Sequence, residues 1–242
     1  FWFDHNALDP FFYFCEVSII LHIETATKNC SVALSHSGKL LALKENYSEN
    51  YSHSEQLHGF IQKVLKKADM QASFIDAVAV SKGPGSYTGL RIGVAAAKGI
   101  CFALDLPLIG INSLEVLAGK ANLIEETLLF PMFDARRMEV YTMVLNEKKE
   151  VLKPTFAEII TENSFDYFPK DKKWIFMGEG AQKCKTLLNA PHIDYRDDLK
   201  FPSTKEMIPL AWESFKEKKF EDVAYFEPFY LKEFFTNAKK KI

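Results

Sequence analysis

The chain has 242 residues, 48% of them hydrophobic and 26% charged, with a formal net charge of −2. This is an ordinary globular composition, long enough for one large domain or two small lobes. The near-neutral balance excludes a broad nucleic-acid footprint, so any RNA contact has to be local or supplied by a partner.

Residues 1–18, FWFDHNALDPFFYFCEVS, are aromatic-rich but interrupted by Asp4, Asp9, Pro10 and Glu16. With no basic leader and no small-residue cleavage site, they read as a tag, an upstream-start artefact or an extension outside the fold. No other stretch is expected to reach membrane-spanning length, and the expected location is cytoplasmic. The cysteines Cys15, Cys30, Cys101 and Cys184 are scattered without a CxxC pair. They suggest neither a disulfide framework nor a zinc site, and Cys101 reads as a small core residue.

SIILHIETA, from residue 18, predicts a buried strand ending in polar residues. Two alternating runs joined at Ser37-Gly38 predict a hairpin. Leu57, Phe60, Ile61, Val64, Leu65 and Ala68 then recur at helical spacing, with Ser52 or Ser54 as cap. IDAVAVSKG predicts another buried strand, followed by a glycine-rich loop and a second helix to about Leu104. A short strand and a third helix complete a first lobe over residues 19–120. Residues 121–127 read as a junction. A second, shorter and degraded copy is expected over 127–232: a strand, a polar corner at residues 134–137, an alternating strand over 138–145, a strand leading to Gly178-x-Gly180 and a helix, and a last helix capped by Ser203 or Thr204. Residues 233–242 form a basic tail in which Lys239, Lys240 and Lys241 read as a solvated end, with an RNA-binding arm as the alternative.

The loop in SKGPGSYTGLRIGVAAAKG fails every standard phosphate grip. Three residues separate Gly85 from Gly89, and Leu90-Arg91 follows where a Walker A loop needs Lys-Ser/Thr. Thr88 stands where a dinucleotide fingerprint needs glycine, and Pro84 where a nucleophile elbow does. What remains is a tight turn in which Ser86 or Thr88 caps the next helix, with free backbone N–H groups able to receive an anion; spacing leaves both readings open. That helix is apolar nearly all round and has two faces to cover. Gly93, Ala95, Ala96, Ala97 and Gly99 would allow close approach of a neighbour, within the chain or, as the small lobe favours, from a partner.

His53 and His58 are five apart, a poor metal pair, and His22 reads as a packed or edge strand residue. Glu24 and Asp134 each end the first strand of a lobe. Facing each other across a cleft they could hold a magnesium-bound phosphate, or they could cap local backbone.

ILHIETATKNCSVAL, SKGPGSYTGLRIGVAAAKGI, IGINSLEVLA, FDARRMEVY and FEPFYLK resemble the TsaB (YeaZ) family in order and spacing over residues 19–232. The resemblance implies an α/β, two-lobed actin-like/sugar kinase/Hsp70 fold with a reduced C-terminal lobe. It implies action with the paralogue TsaD and the ATPase TsaE to place a threonylcarbamoyl group on the adenosine beside the tRNA anticodon, from threonylcarbamoyl-adenylate made by TsaC. Where TsaD carries its metal-binding histidines, this chain has Ser113 and Leu117, so it is expected to lack metal and independent catalysis, and to meet tRNA only through the complex.

The resemblance also implies a surface on the first two helices, for TsaD in the complex and a second copy in isolation, carried by His53, Leu57, Ile61, Arg91, Ile92, Ala95, Ala96 and Gly99. Glu24, Thr25, Gly83, Gly85, Ser86, Thr88, Asp134, Gly178 and Gly180 are the candidate phosphate or nucleotide contacts. No tightly bound cofactor is expected; ATP or ADP with magnesium would enter with the assembled complex. Glu24 stands where many relatives carry Asp, which weakens kinase-like chemistry. A nucleotide-dependent kinase or ATPase is the alternative function, and a metallopeptidase ranks last because no zinc pair, Ser-His-Asp set or reactive cysteine is visible.

Overall fold

The computed structural model describes residues 18–49, 53–122 and 124–231. The aromatic leader, Ser52 and the lysine tail lie outside these residues.

β1 (Ile19–Glu24) and β2 (Asn29–His36) are buried along nearly their whole length and pair antiparallel, and β2 pairs with β3 (Lys39–Tyr47) through the expected hairpin. Ser37 and Gly38 both take positive φ, the geometry of a tight hairpin turn. α1 (His53–Lys67) buries Leu57, Phe60, Ile61 and Val64 at the predicted spacing, and Ser54 lies inside the helix rather than capping it. β4 (Ala77–Gly83) runs parallel to β1, α2 (Tyr87–Leu104) follows, and β5 (Leu108–Asn112) runs parallel to β4 and leads into α3 (Ser113–Gly119). The first sheet has the order β3-β2-β1-β4-β5.

The second half repeats the plan. β6 (Thr127–Asp134) pairs antiparallel with β7 (Glu139–Leu145), which pairs antiparallel with β8 (Val151–Ile159). β9 (Lys173–Met177) runs parallel to β6, and β10 (Ile193–Arg196) runs parallel to β9. The resulting order, β8-β7-β6-β9-β10, is that of the first sheet strand for strand. The duplication is the one the sequence implied, but the second sheet keeps all five strands, with the same two antiparallel and two parallel pairings, where a shorter and degraded copy was expected.

β8 and β10 escaped the sequence reading. β8 is an edge strand, exposed or half-buried throughout and containing Pro154, so it has no clean alternation. β10 is four residues long and half-buried. The helix expected after Gly180 contracts to α4 (Ala181–Cys184), a single turn. The core of the second lobe is instead aromatic: Phe130 meets Phe165, Phe168, Trp174 and Phe176 with ring centroids 5.0–5.5 Å apart.

The last helix, α5 (Thr204–Lys216), leaves the second lobe. Capped by Ser203, whose side chain accepts from the Lys205 N–H, it lays Met207 and Ala211 against Ile20, Ala77, Ala79, Ile109 and Ile111 of the first sheet. The chain beyond it also stays with the first lobe. Phe226 enters that lobe's core, Lys98 Nζ on α2 donates to the carbonyls of Ala224 and Phe226, and the Phe229 N–H donates to the Lys82 carbonyl at 2.6 Å. In packing, then, residues 204–231 of the expected second lobe lie on the first.

α2 is capped by Ser86, not Thr88, through a 3.3 Å bond from the Gly89 N–H. Contrary to the expectation that no stretch reaches such length, its 18 residues are long and apolar enough to cross a membrane. One face nevertheless packs on the sheet through Gly89, Leu90, Gly93, Val94, Ala97 and Cys101. Gly89 and Gly93 permit this: a Cβ on either would overlap the backbone oxygen or the hydroxyl of Thr25. Gly99, by contrast, has nothing within 4 Å of a Cβ position. Gly89→Ala is therefore expected to destabilise the chain by about 2 kcal/mol or more through overpacking. Gly99→Ala should be neutral or stabilising by up to roughly 1 kcal/mol, since alanine is the better helix former. Urea unfolding of the two variants, read at the midpoint, checks the contrast.

Candidate functional site

The loop after β4 closes on the chain's own β1–β2 turn. The Ser86 N–H donates to the Ala26 carbonyl at 2.7 Å, Thr25 Oγ1 donates to the Gly89 carbonyl at 2.8 Å, and the Gly83 N–H donates to Ser113 Oγ at 3.2 Å. A side chain at Gly85 would collide with Ala26, and Gly83 holds φ at 111° beside the Phe229 carbonyl. Of the candidate phosphate contacts, Glu24, Thr25, Gly83, Gly85 and Ser86 thus come together, and Thr88 stands exposed on the first turn of α2. Loop and turn are in direct contact at Gly85, Ser86 and Gly89.

Glu24 is fully buried. One carboxylate oxygen accepts from the Ala26 N–H at 2.7 Å and the other from Ser81 Oγ. Burial pushes its carboxyl up to about 7, against the opposing pull of the Ser81 and Ala26 hydrogen bonds. His22, two residues earlier on β1, is also fully buried, and burial lowers its imidazole to about 3. Its Nε2 lies 2.7 Å from Ser35 Oγ, the packed-strand role expected for it.

In the second lobe, Gly180 and Asp134 come together, since a Cβ on Gly180 would lie 3.1 Å from the Asp134 backbone nitrogen. Asp134 Oδ1 accepts from Lys183 Nζ at 2.6 Å and from the Arg136 N–H at 2.6 Å. The Gly178 N–H donates to the Leu199 carbonyl, and the Gly180 N–H to the Met132 carbonyl. Between them, Glu179 interacts electrostatically with Lys28 on the β1–β2 turn; its carboxyl is raised by burial and secondarily by Asp134. The two carboxylates expected to share a magnesium-bound phosphate therefore do not fit that group. Glu24 is sealed and doubly hydrogen-bonded, and Asp134 neutralises a lysine. Among the described residues no three His, Cys, Asp or Glu side chains group to hold a metal ion.

Ser113 and Leu117, expected from the resemblance to stand where the paralogue has histidines, have structural work. Ser113 holds the Gly83 N–H, and Leu117 is buried between the sheets, its Cδ2 2.8 Å from where a Gly178 side chain would begin.

Of the residues expected on a partner surface, several line a groove of about 590 Å³ between α1 and α2. Ile61, Ile92, Ala95, Ala96 and Gly99 line it. His53 and Leu57 do not: His53 is buried with Nε2 2.7 Å from the Thr27 carbonyl oxygen, and Leu57 has no exposure. They face the lobe interior because α1 turns its most apolar stripe inward. Arg91 lies outside the groove, over the Tyr87 ring at 4.2 Å and donating to Tyr230 Oη. Leu65, Ile100, Ala103 and Leu104 also line the groove and were missed, although the run 92, 96, 99, 103 at helical spacing carries the signal.

The duplicated five-stranded sheets define a two-lobed α/β protein. A family model described as "TsaD: tRNA N6-adenosine threonylcarbamoyltransferase" matches residues 48–239. The tRNA threonylcarbamoyladenosine biosynthesis protein TsaB of Escherichia coli K12 is 32% identical over 225 residues, covering 88% of this chain and 94% of that one. Its namesake in Bacillus subtilis 168 is 31% identical over 172 residues, 70% of this chain and 74% of that one. The solved YeaZ structure from Pseudomonas aeruginosa superposes with a TM-score of 0.77 at 24% identity, over 88% of this chain and 100% of that one. The chain belongs to the TsaB (YeaZ) family.

The sealed Glu24 has a titration consequence. Its carboxyl sits near 7 in the folded chain and at the ordinary 4.5 when unfolded. Between those values the folded state binds the extra proton, so stability falls as pH rises from about 4.5 to 7, by about 3 kcal/mol in all. Glu24→Gln should abolish this slope: the variant gains on the parent steadily across that window and holds its advantage above pH 7. Denaturant unfolding at pH 5, 6, 7 and 8 measures it, and parallel pH profiles for the two chains would refute the assignment.

Proposed function

We propose that this chain takes part in tRNA threonylcarbamoyladenosine biosynthesis as a non-catalytic partner subunit, binding a TsaD-type paralogue and working with the ATPase TsaE in the cytoplasm. The observation that carries the reading is the open apolar groove between α1 and α2. The α2 helix buries one face on its own sheet and part of its flank under residues 222–230, yet leaves Ala95, Gly99 and Phe102 exposed, Phe102 at 87%. Two helices of small and branched apolar residues are suited to receive the matching helix pair of a related fold. A second copy of the same chain would use the same patch in the absence of the paralogue.

Several features support a binding rather than a chemical role. Glu24 is enclosed, Asp134 is paired with Lys183, and Ser113 and Leu117 serve backbone and core. The alternative of a nucleotide-dependent kinase needs a positioned metal and a base, and these residues supply neither. Nucleotide bound by the assembly then belongs to its other subunits.

Ala95→Glu places a charge in the groove at an exposed position, so the fold tolerates it. Affinity for the TsaD-type partner is expected to fall on the order of 100-fold, because docking would bury an unpaired carboxylate. The melting temperature of the isolated subunit should stay within about 2 °C of the parent. Isothermal titration against the partner, with calorimetric melting of the subunit alone, decides the matter; undiminished affinity would remove the groove from the interface.

A further inference from the structure

The corner between β6 and β7 holds its backbone against its own sequence. Among the described residues it alone has two successive non-glycine residues in the left-handed region, Arg136 at φ 67° and Arg137 at φ 48°. The equivalent hairpin of the first lobe uses Gly38 at its second position, and the other non-glycine cases, such as Asp69, Asp105 and Lys218, stand singly. Left-handed backbone is unfavourable for a non-glycine residue because Cβ crowds the carbonyl oxygen, and turns of this hand favour Asn-Gly or Gly-Gly. Stability alone would not choose Arg-Arg.

Neighbouring groups hold the corner in place. Asp134 Oδ1 accepts the Arg136 N–H at 2.6 Å. Lys183 Nζ bonds Asp134 Oδ1 at 2.6 Å, the Arg137 carbonyl at 2.7 Å and the Glu139 carbonyl at 2.8 Å. The ammonium thus cancels the nearest carboxylate while fixing the turn from beneath. Arg136 and Arg137 are both exposed, and neither forms an ion pair with a carboxylate among the described residues. Two guanidiniums are presented outward on a braced turn, with Asp134 already neutralised.

We propose that Arg136 and Arg137 grip backbone phosphates of the RNA substrate in the assembled complex, an inference that rests on the function proposed above. The guanidinium fork matches phosphate oxygens bidentately, and phosphate contacts position a nucleic acid without reading its sequence. With a net charge of −2 the chain offers no overall positive field, so a contact to RNA is expected to rest on a few local cations of this kind. The corner lies on the second lobe, whereas the α1–α2 groove lies on the first, so one chain can meet protein and RNA together.

The test uses the full chain assembled with its TsaD-type partner and TsaE, and fluorescently labelled tRNA. Arg136→Gly with Arg137→Gly removes both guanidiniums and relaxes the turn; Arg136→Lys with Arg137→Lys keeps the charge. Fluorescence anisotropy should give the glycine variant roughly 10- to 100-fold weaker tRNA binding, with the slope of log affinity against log salt shallower by about 1 to 2. The lysine variant should keep the parental slope. Subunit assembly by size exclusion should be unchanged, and the glycine variant should melt no lower than the parent. Unchanged affinity and slope in an intact complex overturn this inference alone. Loss of assembly instead of RNA binding makes the corner a site for an acidic protein surface and overturns it as well. Failure of the parental chain to assemble overturns both this inference and the function beneath it.

Discussion

The close approach of α2 to the end of β1 sets the rest of the structure. Thr25 donates to the Gly89 carbonyl, the Ser86 N–H reaches the Ala26 carbonyl, and Gly89 and Gly93 leave just enough room for the helix to lie against the turn. This contact has two opposite effects. It brings strand end and helix start into direct contact, and it seals Glu24 beneath. It also orients α2 so that its remaining apolar residues face outward beside α1. The glycine-rich loop thus serves as a brace that sets the position of α2.

The duplication of the sheet order makes the division of labour between the halves visible. The first lobe keeps both long helices and, with them, the groove. The second keeps its five strands but shrinks α4 to one turn and fills its interior with aromatic rings. α5 and the chain to residue 231 cross back to cover the open side of the first sheet and the flank of α2. The second lobe's remaining polar features concentrate at its turns, where Lys183 ties Asp134 to the backbone of the arginine corner.

Much of this was legible in the residues. Alternation marked the first hairpin, spacing marked α1, and the apolar run marked α2, because each pattern follows from burying one face of a strand or helix. β8 and β10 were not legible, since edge strands are released from the alternation that burial imposes. Among the residues expected to share a surface, Ile61, Ile92, Ala95, Ala96 and Gly99 were found together along one groove. His53 and Leu57 were not, because helical spacing tells which residues share a face but not which way that face turns. The glycine-rich loop posed the same difficulty: glycine signals that something comes close, and only the fold says whether it is a ligand or the neighbouring strand.

Chain patterning was enough to establish the α/β class, the repeated plan and the absence of the standard phosphate motifs. These are local or periodic properties, carried by a few neighbouring residues. The destination of α5, the enclosure of Glu24, the pairing of Asp134 with Lys183 and the outward aim of Arg136 and Arg137 depend on contacts between segments dozens of residues apart. No window along the chain contains both partners of such a contact, so these features came into being only when distant segments packed together, within each lobe for Glu24 and Asp134 and across to the first sheet for α5.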